Sequence, residues 1–131
     1  MTGFVAPNEL LARYITSSRW FHKQDRTVKQ DAFIPPNSEL SVTRHLDLNK
    51  EAIWKIGKKI VEGTPRFLYG RADVEASHII SQCLNVVPQP VDGNPNHANI
   101  INWPPDKAAR KMCALVIANA ARFIANPEIE V

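Results

Sequence analysis

Two hydrophobic periods, one directly following the other, limit what this chain can fold into. Leu40, Val42, Arg44 and Leu46 alternate with Ser41, Thr43, His45 and Asp47, which is the period of a strand. Asn49 can then cap a helix in which Ile53, Ile56 and Ile60 recur three and four residues apart, up to Glu62 with Gly63 as its terminator. A strand that passes at once into a helix excludes an all-α and an all-β chain. The remaining segments repeat the mixture. Asn85-Val86-Val87 and His97 to Ile101 read as strands, separated by a surface loop carrying Pro88, Pro90, Gly93 and Pro95. Trp103-Pro104-Pro105-Asp106 starts a final helix with Ala108, Met112, Leu115, Val116, Ala120 and Phe123 at helical spacing. That helix is expected to be the most buried one, with Met112, Leu115 and Val116 inside.

Three segments are read from weaker patterns. Asn8 precedes Leu10 with Tyr14 and Leu11 with Ile15, each pair four apart, which predicts a short first helix. Asp31 to Ile34 predicts a short strand before Pro35-Pro36, and Ser17 to Gln30 a loop with some strand character. Phe67-Leu68-Tyr69 predicts a strand broken by Gly70, followed by an Asp73-capped helix carrying Val74, Ile79, Ile80, Cys83 and Leu84. The expected architecture is a single α+β domain over residues 1–131, with a small, mostly antiparallel or mixed sheet packed on one face by two or three helices, the longest at the C-terminal end.

At 131 residues, 44% hydrophobic and 22% charged, the chain has the content of one globular domain rather than of a disordered segment. Its longest apolar stretch, Met112 to Ala118, falls far short of the roughly 20 residues a membrane span needs. Met1 to Asn8 lacks the cationic leader and apolar core of a secretory signal, so a cytoplasmic location is expected. Cys83 and Cys113 fall on predicted helices among apolar residues and read as free, buried thiols. A formal charge of +3 tilts the chain toward anionic partners.

Against that background several polar residues stand out. Arg44 takes a place on its strand face where alternation calls for an apolar side chain, so it needs either a structural carboxylate such as Asp73 or an anionic ligand. His97 and Asn99 share one face of a strand that leaves a proline-rich loop, a placement suited to acid-base work or to phosphate binding, or equally to a solvated edge. Lys107, Arg110 and Lys111 crowd the first turns of the last helix, where the helix dipole disfavours cations, and only Asp106 opposes them. They make an anion site or merely solvate the helix. Tyr69-Gly70-Arg71 has the strand and turn order in which anions are held. Arg19, Trp20, Lys23 and Arg26, with Phe21 and His22, interleave cations and aromatics as single-stranded nucleic-acid binders do. No phosphate loop, dinucleotide fingerprint or nucleophile elbow is present, so no cofactor is implied. His22, His45, His78 and His97 lack ligand spacing, so no metal is implied either.

The motif His97-Ala98-Asn99-Ile100-Ile101, with Trp103-Pro104 and Asp106-Lys107, resembles a pattern of small uncharacterised bacterial proteins. Ser41-Val42-x-Arg44, Glu51-x-Ile53-Trp54 and Gly70-Arg71-Ala72-Asp73 extend the resemblance from about Leu11 to Ala120. It implies no activity and assigns no catalytic residue. The expectation from the residues themselves is a binding domain for nucleic acid or a nucleotide phosphate, with Arg44, Arg71, His97 and the start of the last helix converging on one concave surface. A phosphodiesterase or nuclease-like enzyme using His97 is the first alternative. An accessory module for an acidic protein is the second.

Overall fold

In the computed structural model, which describes residues 4–128, eight strands and three helices form an α+β fold. The first three residues of the N-terminal stretch considered above lie outside that range. The strands are β1 (Leu10–Ile15), β2 (Phe21–His22), β3 (Thr27–Val28), β4 (Leu40–Arg44), β5 (Gly70–Glu75), β6 (Asn85–Pro88), β7 (His97–Ile101) and β8 (Arg122–Ala125). The helices are α1 (Lys50–Val61), the single turn α2 (Ser77–Ile80) and α3 (Lys107–Ala120). Six strands make one antiparallel sheet in the order β6-β7-β4-β1-β5-β8, and β2 and β3 form a separate small hairpin. No helix is long and apolar enough to cross a membrane among the described residues.

Antiparallel register divides the side chains cleanly between the two faces of the sheet. Leu11, Ile15, Leu40, Val42, Arg44, Ala72, Val74, Ala98 and Ile100 share one face, because Leu11 stands opposite both Arg44 and Val74, and Val42 opposite Ala98. Their apolar members join Phe33, Ile79, Trp103, Ala114 and Ile117 in the main core. Ala12, Tyr14, Thr43, Arg71, Asp73 and His97 share the other face, where Ile53 of α1 and Leu68 complete a second, smaller core with Ala12 and Tyr14. The helices are thus divided between the faces: α3 packs on the first and α1 on the second.

Several local expectations are corrected. Residues 10–15 form the central strand β1 and not a helix. Its spacing fits both periods, and β1 is covered on both faces, so apolar residues fall at consecutive positions and the alternation is lost. Asp31 to Ile34 lies largely in a 3-10 turn, Gln30–Phe33. Asp73 sits in the middle of β5 and caps nothing; only Ser77–Ile80 is helical beyond it. Cys83 is exposed on the following turn with a φ of +63°.

The cap expected at Asn49 agrees with the structure, Asn8 precedes a strand and caps no helix, and Asp106 at the expected start of the last helix proves to be its cap. Asn49 Oδ1 accepts from the Ala52 N–H at 2.8 Å, and Asp106 Oδ2 from the Ala109 N–H at 2.9 Å. Gly63 follows α1 with a φ of +75°. The side of α3 that packs is Ala114, Ile117 and Ala118, and the helix lies chiefly against the 3-10 turn Gln30–Phe33. Met112 at 61% exposure, with Leu115 and Val116 also exposed, points away from the core, contrary to expectation.

Gly70 has a packing role. A Cβ there would meet the Ile124 carbonyl oxygen and approach the Phe123 ring to 2.8 Å, so β8 can lie against β5 only if this position has no side chain. Gly70→Ala should therefore lower stability by about 1–3 kcal/mol, the usual cost of overpacking, with the urea midpoint as readout. Phe123→Leu in the same chain should restore part of the loss, because the ring is the movable half of the clash.

Candidate functional site

The residues singled out from the sequence do not converge. Arg44 is 3% exposed on the main-core face, where its Nε donates to Glu9 Oε1 at 2.8 Å and its Nη2 to Glu9 Oε2 at 2.9 Å. This bidentate bond is the first cause holding the Glu9 carboxyl below its ordinary range, against an opposing push from burial. The structural carboxylate anticipated for Arg44 is thus Glu9 and not Asp73. Arg71 lies on the opposite face, its Nε 3.0 Å from Asp73 Oδ1 and its guanidinium 4.7 Å above the Trp54 ring. Its Nη1 is buried without a hydrogen-bond partner. Asp73 Oδ1 also faces His45 Nε2 at 3.1 Å. Lys107 and Lys111 are exposed on α3, across the sheet from His97, and Arg110 is turned back to the Pro104 carbonyl at 2.6 Å. Arg19, Lys23 and Arg26 are exposed on and beside the β2–β3 hairpin, whereas Trp20 is half-buried.

A different concave site contains one of those residues, His97. It is a cavity of about 450 Å³ on the face that carries α1. Ser41 and Thr43 of β4 and His97 of β7 lie along one side, and Ile56, Lys59 and Ile60 of α1 along another. The turn Val91–Asn94 also lines it, as do Arg13, Tyr14, Trp20 and Arg66.

The cavity exists because the sheet opens there. β1 and β4 pair only at Leu11 with Arg44 and Ala12 with Thr43. Beyond that point the Ser41 carbonyl takes its hydrogen bond from Arg13 Nη1 at 3.1 Å, while Arg13 Nε donates to the Ala32 carbonyl at 2.8 Å. A guanidinium therefore stands where the ladder stops, with the Trp20 ring 5.0 Å from its Cζ. The turn wall is fixed to β4: Val91 and Asn94 exchange backbone hydrogen bonds at 3.1 and 3.0 Å, and the buried Asn94 amide donates to Thr43 Oγ1 at 2.8 Å. Gly93 supplies the φ of +81° that closes this turn, with the Lys59 side chain lying alongside.

The electrostatics of the cavity are one-sided. Arg13, Lys59 and Arg66 line it, and among the described residues none of them forms an ion pair. Burial, with Arg66 repulsion added, pushes the Arg13 guanidinium down to about 10. Asp92 is the one carboxylate among the lining residues. Tyr14 is held neutral, its pKa pushed up to about 12 chiefly by burial, and its hydroxyl donates to the Ile53 carbonyl at 2.6 Å. His97 is oriented by its Nδ1, 2.8 Å from the Gln89 carbonyl. A carbonyl can only accept, so the proton of the neutral ring sits on Nδ1 and the Nε2 lone pair is left open. Asn99 does not line the cavity; its amide is bonded to the Gln89 side chain.

Arg13 is the residue that sequence reasoning missed. Read with a period of two, Leu11-x-Arg13-x-Ile15 places an arginine on an apolar face, the same signal that drew attention to Arg44; read as a helix, it merely solvates a surface. Lys59, with Lys50, Lys55 and Lys58, lies off the Ile53, Ile56 and Ile60 stripe of α1, where spacing alone gives a solvated lysine. No family model, no curated protein and no solved structure matches the chain, so the assignment of this site rests on its residues and their geometry.

Proposed function

We propose that this chain is a binding domain for a phosphate-bearing ligand, a nucleotide or the phosphate of a nucleic acid, held in the cavity between α1 and the β4–β7 part of the sheet. The observation that carries this reading is Arg13, a half-buried guanidinium whose hydrogen bonds go to carbonyls and which has no carboxylate partner among the described residues, in one cavity with Lys59 and Arg66, which also lack one. Burying such a charge is costly, and an anion in the cavity would offset that cost. The volume lies within the roughly 300–1,000 Å³ of small-molecule sites. Apolar lining from Ile56, Ile60 and Val91 leaves room for the organic part of the ligand. Arg19, Lys23 and Arg26, near Trp20 in sequence, are exposed and add positive charge to the chain's surface. Two free thiols, with Cys83 exposed, suit a reducing compartment such as the cytoplasm.

Fluorescence anisotropy with labelled single-stranded and duplex oligonucleotides, together with calorimetry using mononucleotides, tests the reading. If Arg13, Lys59 and Arg66 each displace one counterion from a single strand, affinity should fall about 20-fold between 50 and 200 mM salt. No binding of any of these ligands at tens of micromolar protein and low salt would reject it.

A further inference from the structure

We infer that the cavity also cleaves RNA, with His97 Nε2 as the general base that deprotonates a ribose 2′-hydroxyl. This step rests on the phosphate-binding reading and adds chemistry to it. Three observations support it. The His97 ring is fixed through Nδ1 to the Gln89 carbonyl, which leaves Nε2 as a proton acceptor with no partner among the described residues. The His97 backbone is held on both sides, its N–H on the Asn94 carbonyl at 3.3 Å and its carbonyl accepting from the Gln89 N–H at 2.8 Å, so the base has a set position. The same cavity holds Arg13, Lys59 and Arg66, three donors for the charge that builds on a phosphorane.

The choice of RNA follows from what the lining lacks. Thr43 Oγ1 is engaged by Asn94, and the Tyr14 hydroxyl is a neutral group committed to Ile53, so neither is a ready nucleophile. A site with one base and several cations works best when the substrate brings its own nucleophile. A 2′-hydroxyl beside the phosphate does so with an effective molarity on the order of 10⁵–10⁸ M. Trp20, in the cavity lining, offers an aromatic surface for an adjoining base.

In the step, the 2′-hydroxyl proton passes to His97 Nε2, the O2′–P bond forms and the P–O5′ bond breaks. The departing 5′-oxygen takes a proton from the Lys59 ammonium. His97 returns its proton to solvent and Lys59 regains one, leaving a 2′,3′-cyclic phosphate and a 5′-hydroxyl with no net proton change.

The test uses the full chain and one short oligoribonucleotide in three forms: unmodified, 2′-O-methylated throughout, and all-deoxy. The expected result is cleavage of the unmodified strand alone, with a cyclic phosphate end, and binding of all three. His97→Gln, purified in parallel, should lower the cleavage rate at least 100-fold, as loss of a general base does, while binding the methylated strand within threefold of wild type. An unchanged unfolding midpoint would show that the variant is folded; His97→Asn provides a second variant should Gln disturb the Gln89 contact. Binding of the methylated strand without cleavage of the unmodified one would overturn the inference and leave the binding function standing. Equal cleavage by both His97 variants and wild type would overturn it as well. Absence of binding to every form would remove both readings together.

Discussion

Arg44→Ala will destabilise the fold by about 3–5 kcal/mol and leave phosphate affinity unchanged. Both expectations follow from where the guanidinium lies. It sits at the end of the main-core face, 3% exposed, and both Glu9 oxygens accept from it. Removing it leaves a partly buried carboxylate without its main counter-charge and opens space beside Leu11. The loss should depend on pH. Glu9 has a depressed pKa in the folded chain, so its contribution is complete above the unfolded carboxylate range, near 4.5, and fades as pH falls through the lower folded value. In Arg44→Ala the depression disappears, because burial then outweighs the one bond left to lower it, from the Ala6 N–H. Urea unfolding at pH 7 and at pH 3 should thus show a large gap between wild type and variant at the higher pH and a smaller one at the lower. Weaker phosphate binding at unchanged stability would restore Arg44 to the ligand site.

How far the chain could be read depended on how many faces of each element are covered. β4 showed alternation because Ser41 faces away from the core while Leu40 and Val42 are buried, and α1 showed a clean stripe because its lysines face water. Both were placed correctly, as were β6, β7, the start of α3 and the Asn49 cap, whereas the last helix was expected to include Phe123, which lies in β8. β1 lies at the interior of the sheet with packing on both faces, and its apolar residues run without a period, whereas β5 does alternate, Ala72 and Val74 against Arg71, Asp73 and Glu75. Misreading β1 then misplaced the site. A helix over residues 9–15 turns Arg13 into a surface residue and removes Glu9 as a partner for Arg44, although that carboxylate is 35 positions away in sequence and beside Arg44 in space. His97 remained visible because its strand follows a proline-rich loop. Its orientation by Gln89 depends on the β6–β7 pairing and could not be read from spacing.

The complementary expectation concerns Arg13. Arg13→Gln should weaken binding of a phosphate-bearing ligand by about 1.5–3 kcal/mol, the range for a hydrogen bond to a charged group and roughly 10- to 150-fold in affinity. Glutamine is the informative replacement because its amide can still donate to the Ser41 or Ala32 carbonyl, so the unpaired edge of β4 is not left bare. The effect on stability should have the opposite sign to that on binding, or be small. Without ligand, Arg13 is a half-buried charge repelled by Arg66 and has no carboxylate partner among the described residues, and neutralising it removes that repulsion. Arg44→Ala and Arg13→Gln therefore form a crossed pair, one expected to lose stability and keep affinity, the other to lose affinity and keep stability. Calorimetry with a mononucleotide and urea unfolding on both variants resolve the two axes independently. If Arg13→Gln binds as wild type does while its unfolding midpoint drops, the guanidinium serves only to close the β1–β4 ladder, and the cavity is not an anion site.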